Sequence, residues 1–156
     1  MSSENLTIRR AEKTDIPTIL KLIKELAEYE KLLHEVVTTE KHLEEVIFGN
    51  KKFVEVLIAE INGEIAGQTI FFYNFSTFVG RPGLYIEDLY VRPQYRGKGI
   101  GKALLYEVIK LAKERNCGRV EWVVLDWNKP AIDFYKSIGA KSLDEWTIFR
   151  LTEDKF

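Results

Sequence analysis

Between Arg96 and Lys102 the chain reads RGKGIGK, with glycines at the alternate positions 97, 99 and 101 and cations at Arg96, Lys98 and Lys102. The run passes directly into the apolar, helix-forming stretch ALLYEVIKLAKER, so glycines stand where a helix must begin. Each glycine inside a helix costs roughly 1 kcal/mol, and a compensating role is called for. The first amides of a helix have no partner within it and carry partial positive charge. Glycines let an anion approach that backbone closely, and the three cations add full charges. A phosphate or diphosphate is the natural ligand of such a run. A sharp strand-to-helix turn would need only one glycine. A P-loop requires G-x-x-x-x-G-K-[S/T], but only three residues separate Gly97 from Gly101, and Ala103 follows Lys102 in place of a hydroxyl. A dinucleotide fingerprint requires G-x-G-x-x-G after an early strand. This spacing is G-x-G-x-G, and it lies late in the chain.

A second chemical group is the carboxylate pair Glu87–Asp88 inside the apolar stretch LYIEDLYV. Neighbouring residues of a regular strand face opposite sides, so at most one of the two points into a given site. A third is Tyr135, in KPAIDFYKSI, which either packs against the sheet beside Phe134 or turns towards a ligand. Tyr29 and Glu30 close a charged helix, whereas Glu28 reads as a solvated surface group. The single cysteine, Cys117, rules out a disulfide within the chain. His34 and His42 read as surface residues. No metal is expected, since no cluster has metal-ligand spacing.

The elements that must position these groups follow from periodicity. Residues 6–11 alternate as a strand. Thr14 or Asp15 is read as a helix cap with Pro17 in the first turn. Ile16, Ile19, Leu20, Ile23, Leu26 and Ala27 then form one buried stripe. A second helix is predicted over residues 39–48 and strands over 53–61 and 64–75, the latter two joined by a tight Asn62–Gly63 turn. Residues 76–83 read as a loop and 84–91 as a strand. A helix from about Gly99 to Arg115 buries Leu104, Leu105, Val108, Ile109 and Ala112. A strand at 119–125, a helix at 129–138 and a strand at 145–151 complete the order βααβββαβαβ. This is an α/β (α+β sandwich) class fold, a mixed sheet with helices on its faces, in one domain spanning residues 1–156. The formal net charge of −1 argues against a general nucleic-acid binder. The opening MSSENLTIRR lacks the apolar core of a signal peptide, no stretch approaches the ~20 apolar residues of a membrane span, and the chain reads as cytoplasmic.

YVRPQYRGKGIGKALL resembles the acyl-coenzyme A loop of the GNAT acetyltransferase superfamily. IKELAEYEK, YIEDLYV and VLDWNKPAIDFYKSIGA narrow the resemblance to its diamine (spermidine/spermine) N-acetyltransferase family, and the STF and VLDWN forms look most like the thialysine-acetylating branch. The resemblance implies a mostly antiparallel sheet with a splayed strand pair, acetyl-CoA as cofactor, and a homodimer. It implies that loop residues Arg96, Gly97, Lys98, Gly99, Ile100, Gly101 and Lys102 hold the diphosphate. Backbone atoms of Leu89, Tyr90 and Val91 would pair with the pantetheine arm, with Asn128 and Ala131 beside it. A small amine would then attack the thioester directly, with Glu87 as anchor and water-mediated base and Tyr135 as the acid that protonates the thiolate. Tyr29, Glu30, Glu87 and Glu145 would line the amine groove.

One departure bears on substrate. Polyamine-acetylating members carry an acid and a tryptophan before the ED strand, whereas this chain has STFVGRPG, with Phe78 and Arg81. A short diamine or thialysine-like amine is therefore expected ahead of spermine. The alternatives are a protein or peptide N-acetyltransferase, which needs an open peptide groove, and a non-catalytic acyl-CoA-binding module, which needs neither Glu87 nor Tyr135.

Overall fold

A computed structural model describes residues 5–156; residues 1–4, part of the stretch read as lacking a leader core, lie outside the described residues. The chain divides into two compact units, one running through Val123 and one from Val124 to Phe156. In the first unit β1 (Leu6–Arg10), β2 (Glu55–Ile61), β3 (Glu64–Ser76), β4 (Arg81–Val91) and β5 (Val120–Trp122) form one sheet in sequence order. Every neighbouring pair is antiparallel except β4 and β5, which run parallel. Asn62 and Gly63 both take positive φ, 51° and 82°, as a two-residue hairpin turn between β2 and β3 requires.

Helices α1 (Ile16–Tyr29) and α2 (Glu40–Phe48) cover one face of the sheet, where Ile16, Ile19, Leu43 and Ile47 pack on Val56, Ile58 and Ile70. Helix α3 (Ile100–Glu114) covers the other face. There Arg115, just past its end, donates two hydrogen bonds to Glu55 at 2.7 and 2.8 Å, and Glu55 is the cross-strand partner of the fully buried Phe71. The alternation of strand residues feeds both layers. On α3, Ile100 joins Leu104, Leu105, Val108 and Ala112 in the core, whereas Ile109 is only partly buried. On α1 the fully buried residues are Ile19 and Leu22; Leu20, Ile23, Leu26 and Ala27 of the expected stripe are half-buried. Leu22 is wholly buried where α1 packs on both β3 and β4.

Asp15 does not cap α1 through its side chain. Its carboxylate instead receives Arg9 at 2.7 and 2.9 Å and the Glu12 amide at 2.7 Å, which holds it below the usual carboxylate range. The expected loop at 76–83 is a tighter hairpin, with only residues 77–80 outside the strands.

Strand β5 pairs with β4 only from Leu84–Val120 to Ile86–Trp122 and is shorter than the expected 119–125. Beyond Ile86, β4 continues to Val91 with β3 alone beside it. Gly83 marks where the two strands join. A Cβ there would stand 2.6 Å from Asn74 Oδ1 and 3.0 Å from the Arg119 carbonyl, and the Leu84 amide donates to that same carbonyl at 3.1 Å.

The second unit contains α4 (Lys129–Ser137), with Asn128 at its N-cap accepting from the Ala131 amide at 3.4 Å. Residues 145–151 form no strand, contrary to the alternation in EWTIFRL. Strand preference is realised only against a partner strand, and among the described residues this unit holds none. Trp146 and Phe149 are 77% and 91% exposed.

Glu55 also receives Arg10 at 3.1 Å, so two arginines hold its pKa below the ordinary value. Glu55→Gln is expected to lower the unfolding free energy by about 2 kcal/mol at pH 7, the scale of a charge-assisted hydrogen bond. Because the folded value is depressed, this contribution exists above the unfolded pKa near ~4.3 and is lost as pH falls through the folded value. Urea titrations of both proteins at pH 7 and pH 3 check it, with a constant difference counting against the account.

Candidate active site

The glycine run forms the entrance to α3. Gly97 and Gly99 both sit at φ 80°, in the left-handed region that glycine alone enters without strain. Gly99 occupies the N-cap with no side-chain cap bond, and nothing lies within 4 Å of where a Cβ would stand on either glycine. A Cβ on Gly101 would rest 3.6 Å from Val91 Cγ2, which seats the helix start on the end of β4. The arrangement is an open, uncapped helix start beside an unpaired length of strand. It has the donor geometry to receive a diphosphate.

Arg96 points elsewhere. Its Nε donates to the Val91 carbonyl at 2.9 Å, and its guanidinium lies 5.1 Å from the Tyr29 ring centre and 5.6 Å from that of Tyr90. Cation–π attraction thus ties the loop to the end of α1. Lys102 lies 5.7 Å over the Tyr106 ring. Nearby, Glu25 of α1 accepts from the Tyr90 hydroxyl at 3.2 Å and from Arg92 at 3.3 Å, and fastens α1 to the end of β4. Sequence reasoning did not single out Glu25; its only signal is its place four residues before Tyr29 on the charged face of α1.

The carboxylates lie at an irregularity of the sheet. The β3–β4 register pairs Ile70 with Asp88 but Phe71 with Ile86, and leaves Glu87 as an extra residue. This β-bulge switches faces. Ile86 lies with Phe71 on the α3 side, and Asp88 lies with Ile70 on the α1–α2 side. Glu87, the extra residue, is exposed, whereas Asp88 is half-buried. The Glu87 charge raises the pKa of Asp88 and of Glu30, and the Glu30 charge also acts on Asp88. Glu30, Glu87 and Asp88 therefore share one region at the end of α1. Burial first, then the Glu87 and Glu30 charges, push Asp88 up to about 7. Burial and then Glu87 push Glu30 up as well. Such a group attracts a cation and holds a carboxylate that exchanges a proton near neutral pH. A groove of about 380 Å³ along α1, past Leu20, Lys24 and Glu28, contains none of these residues.

Leu89, Tyr90 and Val91 lie on the β4 segment that β5 does not cover. In the second unit, Tyr135 lies on α4 with its ring centre 5.6 Å from that of Phe134, and Asn128 and Ala131 form the α4 cap. Glu145 is exposed. His42 serves locally, accepting the Thr39 amide at 3.2 Å at the start of α2. Among the described residues no group of three His, Cys, Asp or Glu side chains could hold a metal, and no helix is long and apolar enough to cross a membrane.

Residues 19–140 match the acetyltransferase (GNAT) family, and the chain belongs to it. It is an acetyl-CoA-dependent N-acetyltransferase. Bovine thialysine N-epsilon-acetyltransferase is 42% identical over 92% of this chain and 90% of its own length. L-ornithine N5-acetyltransferase of Arabidopsis thaliana is 49% identical over 58% of this chain and 40% of its own length. Among solved structures, an integron cassette protein from Vibrio cholerae superposes with a TM-score of 0.79 at 27% identity, over 96% of this chain and 94% of that one.

Carboxyl-detected NMR should show Asp88 titrating with a midpoint near the value of about 7. Glu87→Gln should lower that midpoint yet leave it above the ordinary ~3.9, because burial is the larger cause. Since the folded value is the raised one, stability is lost as pH climbs from the unfolded pKa towards 7. Asp88→Asn should therefore gain stability relative to the parent across that window in pH-dependent melting, and a flat difference would contradict the assignment.

Proposed function

We propose that this chain, acting as one domain and as a homodimer, acetylates a primary amine of a small diamine, polyamine or thialysine-like molecule, and prefers short amines to spermine. The observation that carries this reading is the gathering of Glu30, Glu87 and Asp88 at the bulge of β4. A cationic amine fits three mutually repelling carboxylates, since its charge relieves their repulsion. The names of the bovine and Arabidopsis relatives point the same way, one to thialysine and one to ornithine.

The open amides at Gly97–Gly101 with Lys98 and Lys102 would hold the diphosphate of acetyl-CoA, and the main chain of Leu89–Val91 would receive its pantetheine arm. When bound, that molecule supplies the acetyl group as an activated thioester. The residues of the chain do the rest. Glu30 and Asp88 hold the ammonium. Glu87 takes its proton through a water molecule, because an alkylamine with a pKa near ~10.4 is protonated at neutral pH and lacks the lone pair it needs. Tyr135 gives a proton to the departing sulfur, Asn128 and Ala131 border the arm, and Tyr29 and Glu145 bound the amine groove. With Phe78 and Arg81 at the β3–β4 turn in place of an acid, a long polycation loses one anchor.

Product mass spectrometry with an amine panel tests the substrate class; the highest specificity constant falling on spermine, or acetylation of peptides alone, would overturn it. Tyr135→Phe should reduce kcat by roughly a hundredfold with coenzyme A affinity by calorimetry nearly unchanged. Glu87→Gln should impair amine use most at low pH. Sedimentation analysis reads the dimer.

A further inference from the structure

Thr69 lies on β3 directly opposite Leu89, on the α3 face of the sheet, and is wholly buried. Its hydroxyl donates to the main-chain carbonyl of Asp88 at 2.8 Å. A bulge breaks the regular ladder of main-chain bonds at the extra residue, and this bond falls one residue past that break. We propose that Thr69 is a positioning residue for amine recognition, fixing the bulge so that Glu87 and Asp88 both meet Glu30. The proposal rests on the reading of those three carboxylates as the amine site. Thr69 cannot touch the amine, because its side chain lies on the face opposite Asp88's carboxylate. Whatever it does to the amine passes through the main chain of one residue.

Valine has the shape of threonine but no hydroxyl. In Thr69→Val the hydroxyl's bond to the Asp88 carbonyl, which is part-buried, is lost, and losing one partner of such a bond is costly. The bulge then relaxes and the carboxylates separate. Glu87 from β4 and Glu30 from α1 are the charges that act on Asp88. Glu25, Tyr90, Arg92 and Arg96 lie further along β4 and α1, engaged with one another and with Tyr29. Separation and added water both lower the Asp88 midpoint.

The test compares the parent, Thr69→Val and Thr69→Ser. Two readouts are taken, the Asp88 carboxyl titration by NMR and the amine KM, with coenzyme A affinity as the control. In Thr69→Val the titration midpoint should fall by about one pH unit and the amine KM rise roughly tenfold, the ratio one such unit represents. Coenzyme A affinity should stay within about twofold, and Thr69→Ser should behave as the parent to that same margin, since it keeps the donor. A folded Thr69→Val protein with parental midpoint and KM would overturn the proposal, as would equal losses in both variants. Should Thr69→Val fail to fold, the parent decides. A buried, bonded hydroxyl gives a slowly exchanging proton resonance for Thr69, and a rapidly exchanging one rejects the bond. The titration needs no turnover, so a parent that acetylates no amine would defeat the functional reading while leaving the role of Thr69 in the bulge decided by NMR.

Discussion

The parting of β4 from β5 is the constraint on which the rest of the first unit depends. A strand with one neighbour missing exposes main-chain donors and acceptors, and a buried strand cannot leave them without partners. Here the run from Glu87 to Val91 has β3 on one side only. The surroundings fasten the run without pairing its open edge. Gly101 and Arg96 attach the loop to Val91. Thr69 reaches the carbonyl of Asp88. Glu25 ties Tyr90 and Arg92 to α1. The chain holds the open segment by its side chains and leaves its edge clear.

The bulge adds a second level of organisation. Three carboxylates in one place repel one another, and burial raises the cost of their charge. At the extra residue burial and the neighbouring charges raise the pKa of Asp88, at a cost in stability near neutral pH that the core beneath must cover. Stability and reactivity thus oppose each other at Asp88.

What the sequence reveals follows from the range of the forces involved. The left-handed glycines at 97 and 99 could be read from RGKGIGK because backbone freedom is local. The Asn62–Gly63 turn and the two helices flanking the sheet were legible for the same reason. The bulge was not. No glycine or proline marks it, and simple alternation would place Ile86 and Asp88 on one face, whereas the register places them on opposite faces. It is created by a mismatch of register with β3, a strand more than ten residues earlier. The stacking of Arg96 between Tyr29 and Tyr90 was hidden likewise, since a cation in a glycine loop reads as an anion ligand until a distant helix end is seen beside it. EWTIFRL shows the converse case, a strand pattern without a partner strand in its unit.

Gly83 gives the open segment a fixed origin. A methyl group there would strike Asn74 and the Arg119 carbonyl, so the two strands can close up to that point because a side chain is missing. From there the distance to the glycine loop is counted in strand residues, at about 3.3 Å each. Glu87 and Val91 are consequently held about 13 Å apart along β4, a span that no surface loop can stretch. The strand acts as a ruler, and the length of any molecule lying against it is gauged by main-chain geometry before a single side chain is consulted.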